Sequence, residues 1–247
     1  TGGARNYVEK ILAGVPDKRL NTPVRRIERD AAGVRVSTDQ GTEHFDHVVL
    51  ATHSDQSLAL LAHPTAQARA VLGAIRYQPN RAVLHTDTTV LPQQRAARAP
   101  WHYEHAPQTD RESARESTSV CLHYLLNQLQ PLPFAQPVVV SLNPVRSINP
   151  RQNIGEYEYA HPVFDLGAIA AQQQVPALQG QHNTWFCGAW TGYGFHEDGL
   201  KSGLAVARQL APLLQAPQRL AAGPPSPAPP PRPSPCWALA RCATPGC

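Results

Sequence analysis

Residues 184–214 constrain the fold most, because a short apolar strand, a glycine-containing loop and a long amphipathic helix follow one another there. Residues 184–187 form the predicted strand, and residues 188–195 form the loop. Helical periodicity begins near Asp198 and places apolar side chains on one face, those of Leu200, Leu204, Ala207, Leu210 and Leu214. The N-terminal end of such a helix presents unpaired N–H groups and the positive end of its dipole. Whatever lies in front of this helix therefore meets hydrogen-bond donors.

Two glycines near the start of this helix, Gly199 and Gly203, would let a flat ring or a neighbouring strand approach the backbone, because they lack a Cβ. The same pattern fits an ordinary strand-to-helix connection whose glycines serve only packing, and the spacing by itself favours that interpretation. The acids Glu197 and Asp198 fall in the first turn, where carboxylates usually act as caps.

A second strong signal lies between residues 34 and 52. Val34, Val36 and Thr38 alternate with polar neighbours, residues 39–41 form a turn, and residues 42–45 return as a second strand. The continuous apolar run 48–51 suits a strand covered on both faces, as in a parallel sheet. A hairpin is therefore predicted to lead into a buried strand.

The remaining pattern is weaker. It predicts helices over residues 6–14, 58–75 with a break at Pro64, and 165–174, and an extended segment over 20–27. Strands are predicted over 81–90, 119–126 and 137–142, while residues 92–118 are expected to be irregular. The segment 216–247 is rich in proline, and we expect it to be disordered because it cannot bury enough apolar surface to offset its ordering entropy.

Composition excludes several classes of protein. The 22 Lys and Arg residues are scattered, so the chain lacks the basic patch of a nucleic-acid-binding protein. No apolar run approaches the roughly 20 residues that a membrane-spanning helix needs. The five cysteines form neither a disulfide framework nor a zinc motif, so a reducing, cytoplasmic location is expected. His102 and His105 lie three residues apart without a clear third ligand, and no metal site is expected.

The run 185–203, WFCGAWTGYGFHEDGLKSG, resembles the C-terminal flavin motif of the amine oxidase and phytoene desaturase superfamily of FAD-dependent oxidoreductases. It is most similar to a bacterial-type branch of predicted NAD/FAD-binding oxidoreductases. Further resemblance lies at Gly2-Gly3 with Tyr7-Val8, and at residues 22–27, 46–52, 76–87, 125–130, 142–144 and 159–162. The similarity covers residues 1–212, and as a set these motifs are specific.

The resemblance implies an α/β fold in which an FAD-binding Rossmann-like domain is interleaved with a mixed-sheet substrate domain. Residues 1–54 would supply a hairpin and return strand of the FAD-binding domain, residues 55–180 the substrate domain, and residues 181–215 the C-terminal FAD-binding strand, loop and helix. The family's G-x-G-x-x-G fingerprint is absent and would lie before Thr1. Together with the absence of Met, this predicts a C-terminal fragment, and a processed mature chain is the alternative.

FAD is the cofactor that the resemblance implies. Val24 would bind the adenine through its backbone. Gly188, Ala189 and Trp190 would contact the pyrophosphate and ribityl groups through backbone N–H groups, because the acidic residue that many relatives carry after this glycine is absent. The entry of the helix, with Asp198, Gly199 and Leu200, would face the flavin ring, and the side chains of Glu197 and Asp198 are expected to point away from it.

Catalytic residues stay unassigned, with four weak candidates. Arg81 lies near the position of a lysine that neighbours flavin N5 in amine oxidases of the superfamily, but a solvated arginine at a strand edge fits the sequence better. Tyr159 and His161 would line a substrate cavity or else belong to aromatic core packing. His196 would act as a proton relay, although a hydrogen-bonded structural histidine fits better.

The activity that the resemblance implies is flavin-mediated removal of a hydride from a C–N or C–C bond. The substrate would be a small molecule, and the apolar middle segment favours a lipid-like one. A truncated, non-catalytic product or a binding domain without flavin is the alternative. A nicotinamide-dependent reductase has little support, because the chain lacks a phosphate-binding loop.

Overall fold

The computed structural model describes residues 5–30, 32–109 and 116–215. The chain divides into two compact units. Residues 12–77 and 162–215 form one, called here the two-segment unit, and residues 5–11 and 78–161 belong to the other, the five-stranded unit. The proline-rich segment 216–247 and the Gly2-Gly3 pair lie outside the described residues.

The described residues contain both helices and strands, which agrees with the α/β class. The helices are α1 (Arg5–Ala13), α2 (Ser54–Leu60), α3 (Ala66–Gly73), α4 (Leu126–Leu129), α5 (Leu166–Gln172) and α6 (His196–Gln215). The strands are β1 (Val24–Asp30), β2 (Gly33–Thr38), β3 (Gly41–Phe45), β4 (Val48–Leu50), β5 (Arg76–His85), β6 (Trp101–Thr109), β7 (Glu116–Leu125), β8 (Val139–Leu142), β9 (Asn153–Val163) and β10 (Thr184–Phe186). None of the described helices is long and apolar enough to cross a bilayer.

The predicted hairpin is present as β2 and β3. Strand β1 pairs with β2 on its other side, which gives the order β1-β2-β3. Val34 and Val36 alternate toward the main core, where they meet Ile27 of β1. The break that Pro64 predicts is real, since α2 and α3 lie on either side of it as separate helices. Both helices pack on the same core as the hairpin, because their buried side chains, such as those of Leu60 and Leu72, belong to it.

Strands β4 and β10 pair in parallel, with Val48 opposite Thr184 and Leu50 opposite Phe186. Val48 and Leu50 face the main core, whereas Val49 packs into a second cluster that includes Val206 and Leu210 of α6. The strand is therefore covered on both faces, as the continuous apolar run predicted.

The five-stranded unit departs most from the sequence prediction. Its strands lie in the order β6-β7-β8-β5-β9. The expectation of irregular structure over residues 92–118 is wrong from residue 101 onward, because residues 101–109 form β6 and pair antiparallel with β7. Strand β9 was not predicted, and the strand predicted over 81–90 begins earlier and ends at His85. Polar side chains stand on the buried face of this sheet, so its strands do not show the usual apolar alternation.

Candidate functional site

The turn after β10 depends on a glycine and a tryptophan. Gly188 has φ 151°, and a Cβ at this position would stand 2.6 Å from the indole Nε1 of Trp190. Trp190 is buried, and its indole N–H donates to the carbonyl oxygen of Thr52 at 3.0 Å, just beyond the end of β4. The turn is therefore fixed to the parallel strand pair. Burial also raises the pKa of the preceding Cys187 thiol, which stays neutral.

The first two turns of α6 lie against this turn. The backbone N–H of Gly188 donates to the Ser202 hydroxyl oxygen at 2.9 Å, and that hydroxyl lies 2.8 Å from the carbonyl oxygen of Gly199. A Cβ on Gly199 would stand 3.7 Å from the backbone nitrogen of Ala189, an ordinary contact distance. Gly188, Ala189 and Gly199, proposed from the sequence as cofactor-binding residues, thus lie together. Ser202, which joins them, was not singled out.

Asp198 shapes the loop that precedes α6. Its Oδ2 accepts the backbone N–H groups of Tyr193 at 3.0 Å and Phe195 at 3.1 Å. A Cβ on Gly192 would stand 2.6 Å from the Asp198 Cγ, so the carboxylate occupies the space that the glycine leaves. The helix begins at His196, two residues before the predicted start, and Asp198 acts as a reverse cap.

The sequence predicted one apolar face on α6 that packs on the protein. In the structure, only some of these side chains face the protein. Val206 and Leu210 are buried against Trp185, whereas Leu200 is 58% exposed. Exposed apolar side chains of the same region belong to Tyr193, Phe195, Leu204 and Leu214. The helix therefore presents an apolar surface beside the loop.

Two further candidates lie in the two-segment unit. Val24 begins β1 opposite Thr38, and its half-buried side chain packs against the main core. His196 is exposed at the first position of α6.

A face of aromatic side chains marks the five-stranded unit. Tyr157, Tyr159 and His161 alternate along β9, with ring centroids 6.3 Å apart for the two tyrosines and 6.2 Å apart for Tyr159 and His161. His161 Nδ1 lies 2.8 Å from Asn80 Nδ2 of β5. By the strand register the same face carries further partly exposed side chains, those of Leu84, Trp101, Tyr103, Leu122, Tyr124, Val140 and Leu142. These residues are called here the aromatic face.

Arg81 lies on the opposite face of the sheet from Asn80, because neighbouring residues of a strand point to opposite sides. Its guanidinium Nη2 lies 2.8 Å from Glu156 Oε2, and its Nε lies 2.9 Å from the same oxygen. Strand β5 is an interior strand, between β8 and β9, so Arg81 is not at a sheet edge. The structure therefore separates Arg81 from Tyr159 and His161.

A buried polar network, which the sequence did not indicate, occupies the other face of the sheet. The Ser141 hydroxyl lies 2.7 Å from His85 Nε2 and 2.6 Å from His123 Nδ1. His123 Nε2 lies 3.2 Å from one carboxylate oxygen of Glu104, and Arg146 Nε lies 2.6 Å from the other.

Burial lowers the pKa of both histidines, and it raises the pKa of the neighbouring Cys121 thiol to about 11. Ser141 has no exposed surface, so its hydroxyl cannot reach a substrate. In the residues that the structure describes, no group of three or more His, Cys, Asp or Glu side chains is arranged to hold a metal ion.

The family model for flavin containing amine oxidoreductases matches residues 1–124. Among solved structures, a CLA-producing fatty acid isomerase from P. acnes has a TM-score of 0.57 at 14% identity, over 83% of this chain and 51% of that one. Wild-type putrescine oxidase bound to putrescine has a TM-score of 0.56 at 12% identity, over 84% and 52%. Cyclohexylamine oxidase from Brevibacterium oxydans IH-35A has a TM-score of 0.51 at 13% identity, over 78% and 48%.

At such low identities the likeness to the solved structures shows the fold alone. The chain spans about half the length of each of these three solved chains. No curated protein matches it significantly.

Proposed function

Because this chain belongs to the flavin containing amine oxidoreductase family, we propose that it is part of an FAD-dependent oxidoreductase whose flavin ring lies at the N-terminal end of α6. FAD is the cofactor. The observation that carries this proposal is the packing of the first turns of α6 on the Gly188 turn, where the Gly188 N–H donates to the Ser202 hydroxyl oxygen at 2.9 Å and a Cβ on Gly199 would stand 3.7 Å from the Ala189 nitrogen.

The residues at this place fit a flavin. The N–H groups of His196 and Glu197 precede the first intrahelical hydrogen bonds of α6 and are suited to an electron-rich ring edge or a phosphate, whereas those of Asp198 and Gly199 donate to the Phe195 carbonyl oxygen. The Asp198 carboxylate accepts the N–H groups of Tyr193 and Phe195, so its side chain is held by the loop. Exposed Tyr193, Phe195 and Leu200 offer apolar contacts to a flat ring. Val24 would contribute its backbone to the adenine.

FAD supplies a hydride acceptor when bound, and the protein's part is to orient the substrate. We assign that part to the aromatic face of the five-stranded unit, where Tyr159 and His161 would contact a small-molecule or lipid-like substrate. The oxidised bond would be C–N or C–C. The partly exposed leucine and valine side chains of this face, among them Leu84 and Val140, favour an apolar substrate.

The test is a titration of the purified chain with FAD, followed by quenching of flavin fluorescence. We expect weak but saturable binding, because this sequence carries no G-x-G-x-x-G motif to contact the pyrophosphate and each such contact is worth about 1.5–3 kcal/mol. Gly199→Val should abolish the quenching, since its added methyl groups would push the Ala189 turn away.

Gly203→Val is the matched control, because a Cβ there meets nothing within 4 Å. Circular dichroism of both variants separates flavin loss from unfolding. Equal quenching by wild type and Gly199→Val would contradict the placement of the ring. No saturable quenching in the wild type would favour a domain that does not bind flavin.

A further inference from the structure

Strand β6 is an edge of the five-stranded sheet, and its outer side is open. The sheet order places β7 on one side of β6, and no strand in the described part of the chain pairs with the other side. Trp101 is 58% exposed and Tyr103 is 70% exposed on this strand. An open edge of this kind presents a row of backbone N–H and C=O groups with which another strand can pair.

The pairing with β7 identifies which backbone groups of β6 point outward. In an antiparallel pair, positions bonded to the neighbouring strand alternate with positions whose N–H and C=O groups point away from it. The Leu125 N–H donates to the Pro100 carbonyl oxygen at 2.9 Å, and the register continues from there along both strands. The even-numbered positions of β6 therefore point toward β7. The odd-numbered positions Trp101, Tyr103 and His105 turn their backbone groups outward.

These three outward positions fit those of a second copy of the chain. A two-fold axis at Tyr103 places this residue opposite its own counterpart and places Trp101 opposite His105 on each side. Every one of these pairings joins two positions with outward groups, so each can exchange two backbone hydrogen bonds. The next outward position, Pro107, has no N–H group and ends the row of donors.

The side chains on the other face of β6 are complementary about the same axis. His102 lies opposite Glu104 of the second copy, because the two residues are one position before and one position after Tyr103. His102 Nε2 accepts the Ala99 N–H at 3.0 Å, so the neutral ring carries its proton on Nδ1. The ring can therefore donate to a carboxylate across the axis.

Neighbouring registers lack this complementarity. A shift by two positions in one direction places Glu104 opposite its own counterpart, and like charges directly opposite each other are destabilising. A shift in the other direction places His105 opposite Ala99, whose N–H is already donated to His102. The axis at Tyr103 is the register that charge and backbone donors both favour.

We propose that this chain forms a symmetric dimer in which two β6 strands pair antiparallel about Tyr103 and join the two five-stranded sheets at their edges. A two-fold contact uses the same surface twice. A strand that is complementary to itself about one position therefore fits a second copy better than an unrelated strand. No residue of α6 or of the Gly188 turn takes part, so the dimer does not depend on the proposed flavin site.

Sedimentation velocity of the purified chain, from micromolar to submillimolar concentration, tests the association. We expect a reversible dimer, and a monomer at every concentration would overturn the proposal. Tyr103→Pro removes the central outward N–H without breaking a bond to β7, and edge strands tolerate proline at such a position. It should raise the dissociation constant about tenfold or more, because two central hydrogen bonds are lost.

Tyr103→Phe is the matched control, because it keeps the backbone donor and should leave the dissociation constant unchanged. Circular dichroism verifies that both variants are folded. An equal dissociation constant for the wild type and folded Tyr103→Pro would show that the copies do not meet at this edge, and would overturn the proposal.

Disulfide crosslinking reads the register directly, in a background with Cys236, Cys242 and Cys247 replaced by serine. Tyr103→Cys places two thiols opposite each other, with Cα atoms about 5.5 Å apart, within the range that a disulfide spans. Trp101→Cys is the control, because strand geometry places its two copies about 14 Å apart. We expect mild oxidation to give a covalent dimer with Tyr103→Cys alone. Crosslinking through Trp101→Cys, or none with either variant, would overturn the pairing about Tyr103.

Discussion

His123 Nδ1 lies 2.6 Å from the Ser141 hydroxyl oxygen, and both side chains are enclosed by the five-stranded unit. The bond has a defined direction. The Asp87 backbone N–H donates to His85 Nδ1 at 3.1 Å, so the proton of His85 is on Nε2 and is donated to Ser141. The hydroxyl proton is then donated to His123, whose Nε2–H points to Glu104. Both imidazoles are therefore neutral.

This network predicts that stability falls in acid. Burial lowers the pKa of His85 and of His123 below the ordinary value of 6.5, so the unfolded chain binds more protons in the range just below 6.5. Stability is then complete above about pH 6.5 and is lost as the pH falls below it. The free energy of unfolding, measured in urea between pH 5 and pH 8, should show this slope.

The matched variants of that measurement are His85→Gln and His123→Gln. Each removes one titrating group while the charged neighbours Asp87, Glu104 and Arg146 remain. The slope below pH 6.5 should become shallower in each variant. If the double variant keeps the full wild-type slope, the buried histidines are not its source.

Ser141→Ala removes only one hydroxyl group, but it should strongly lower the free energy of unfolding. It removes the partner of His85 Nε2–H and of His123 Nδ1, and each buried unsatisfied group costs about 1–3 kcal/mol. Ser37→Ala is the control, since Ser37 bonds Thr42 at an exposed site and its loss should change stability by about 0.5 kcal/mol or less. Urea denaturation compares them, and equal costs would mean that the buried network is not tightly formed.

Asp198→Ala should loosen the loop before α6. The lost reverse cap is expected to cost about 0.5–2 kcal/mol, and the amides of Tyr193 and Phe195 should exchange faster with deuterium. Asp198→Asn keeps an acceptor oxygen and should retain most of the protection. Glu197→Ala removes an exposed acid of the same turn and should leave both amides unchanged. Unaltered exchange in Asp198→Ala would contradict the capping role.

Gly188→Ala should lower the melting temperature, because its φ of 151° is unfavourable for a side chain and the added Cβ would meet the Trp190 indole. Backbone strain of this kind costs about 1–3 kcal/mol. Gly203→Ala is the control within α6, where open space and the higher helix propensity of alanine predict equal or greater stability. A melting temperature unchanged by Gly188→Ala would show that the turn can relax without the glycine.

The sequence by itself determined those elements whose buried apolar residues follow a regular pattern over a few neighbouring positions. The alternation of Val34 and Val36 gave the hairpin strand, and the apolar run at Val48 gave the parallel strand. Pro64 separated two helices, because proline removes a helical hydrogen bond. The short loop before α6 also brings Gly199 against the turn at Gly188 and Ala189.

Only the tertiary structure decided the five-stranded sheet and its two faces. Strands β6 and β9 were missed because the buried face carries His85, His123 and Ser141 while aromatic residues stand exposed, so the usual alternation is absent. The separation of Arg81 from His161 depends on strand pairing, which no single strand encodes. The same holds for Asn80, Asn143 and His161, because their hydrogen bonds join residues more than sixty positions apart.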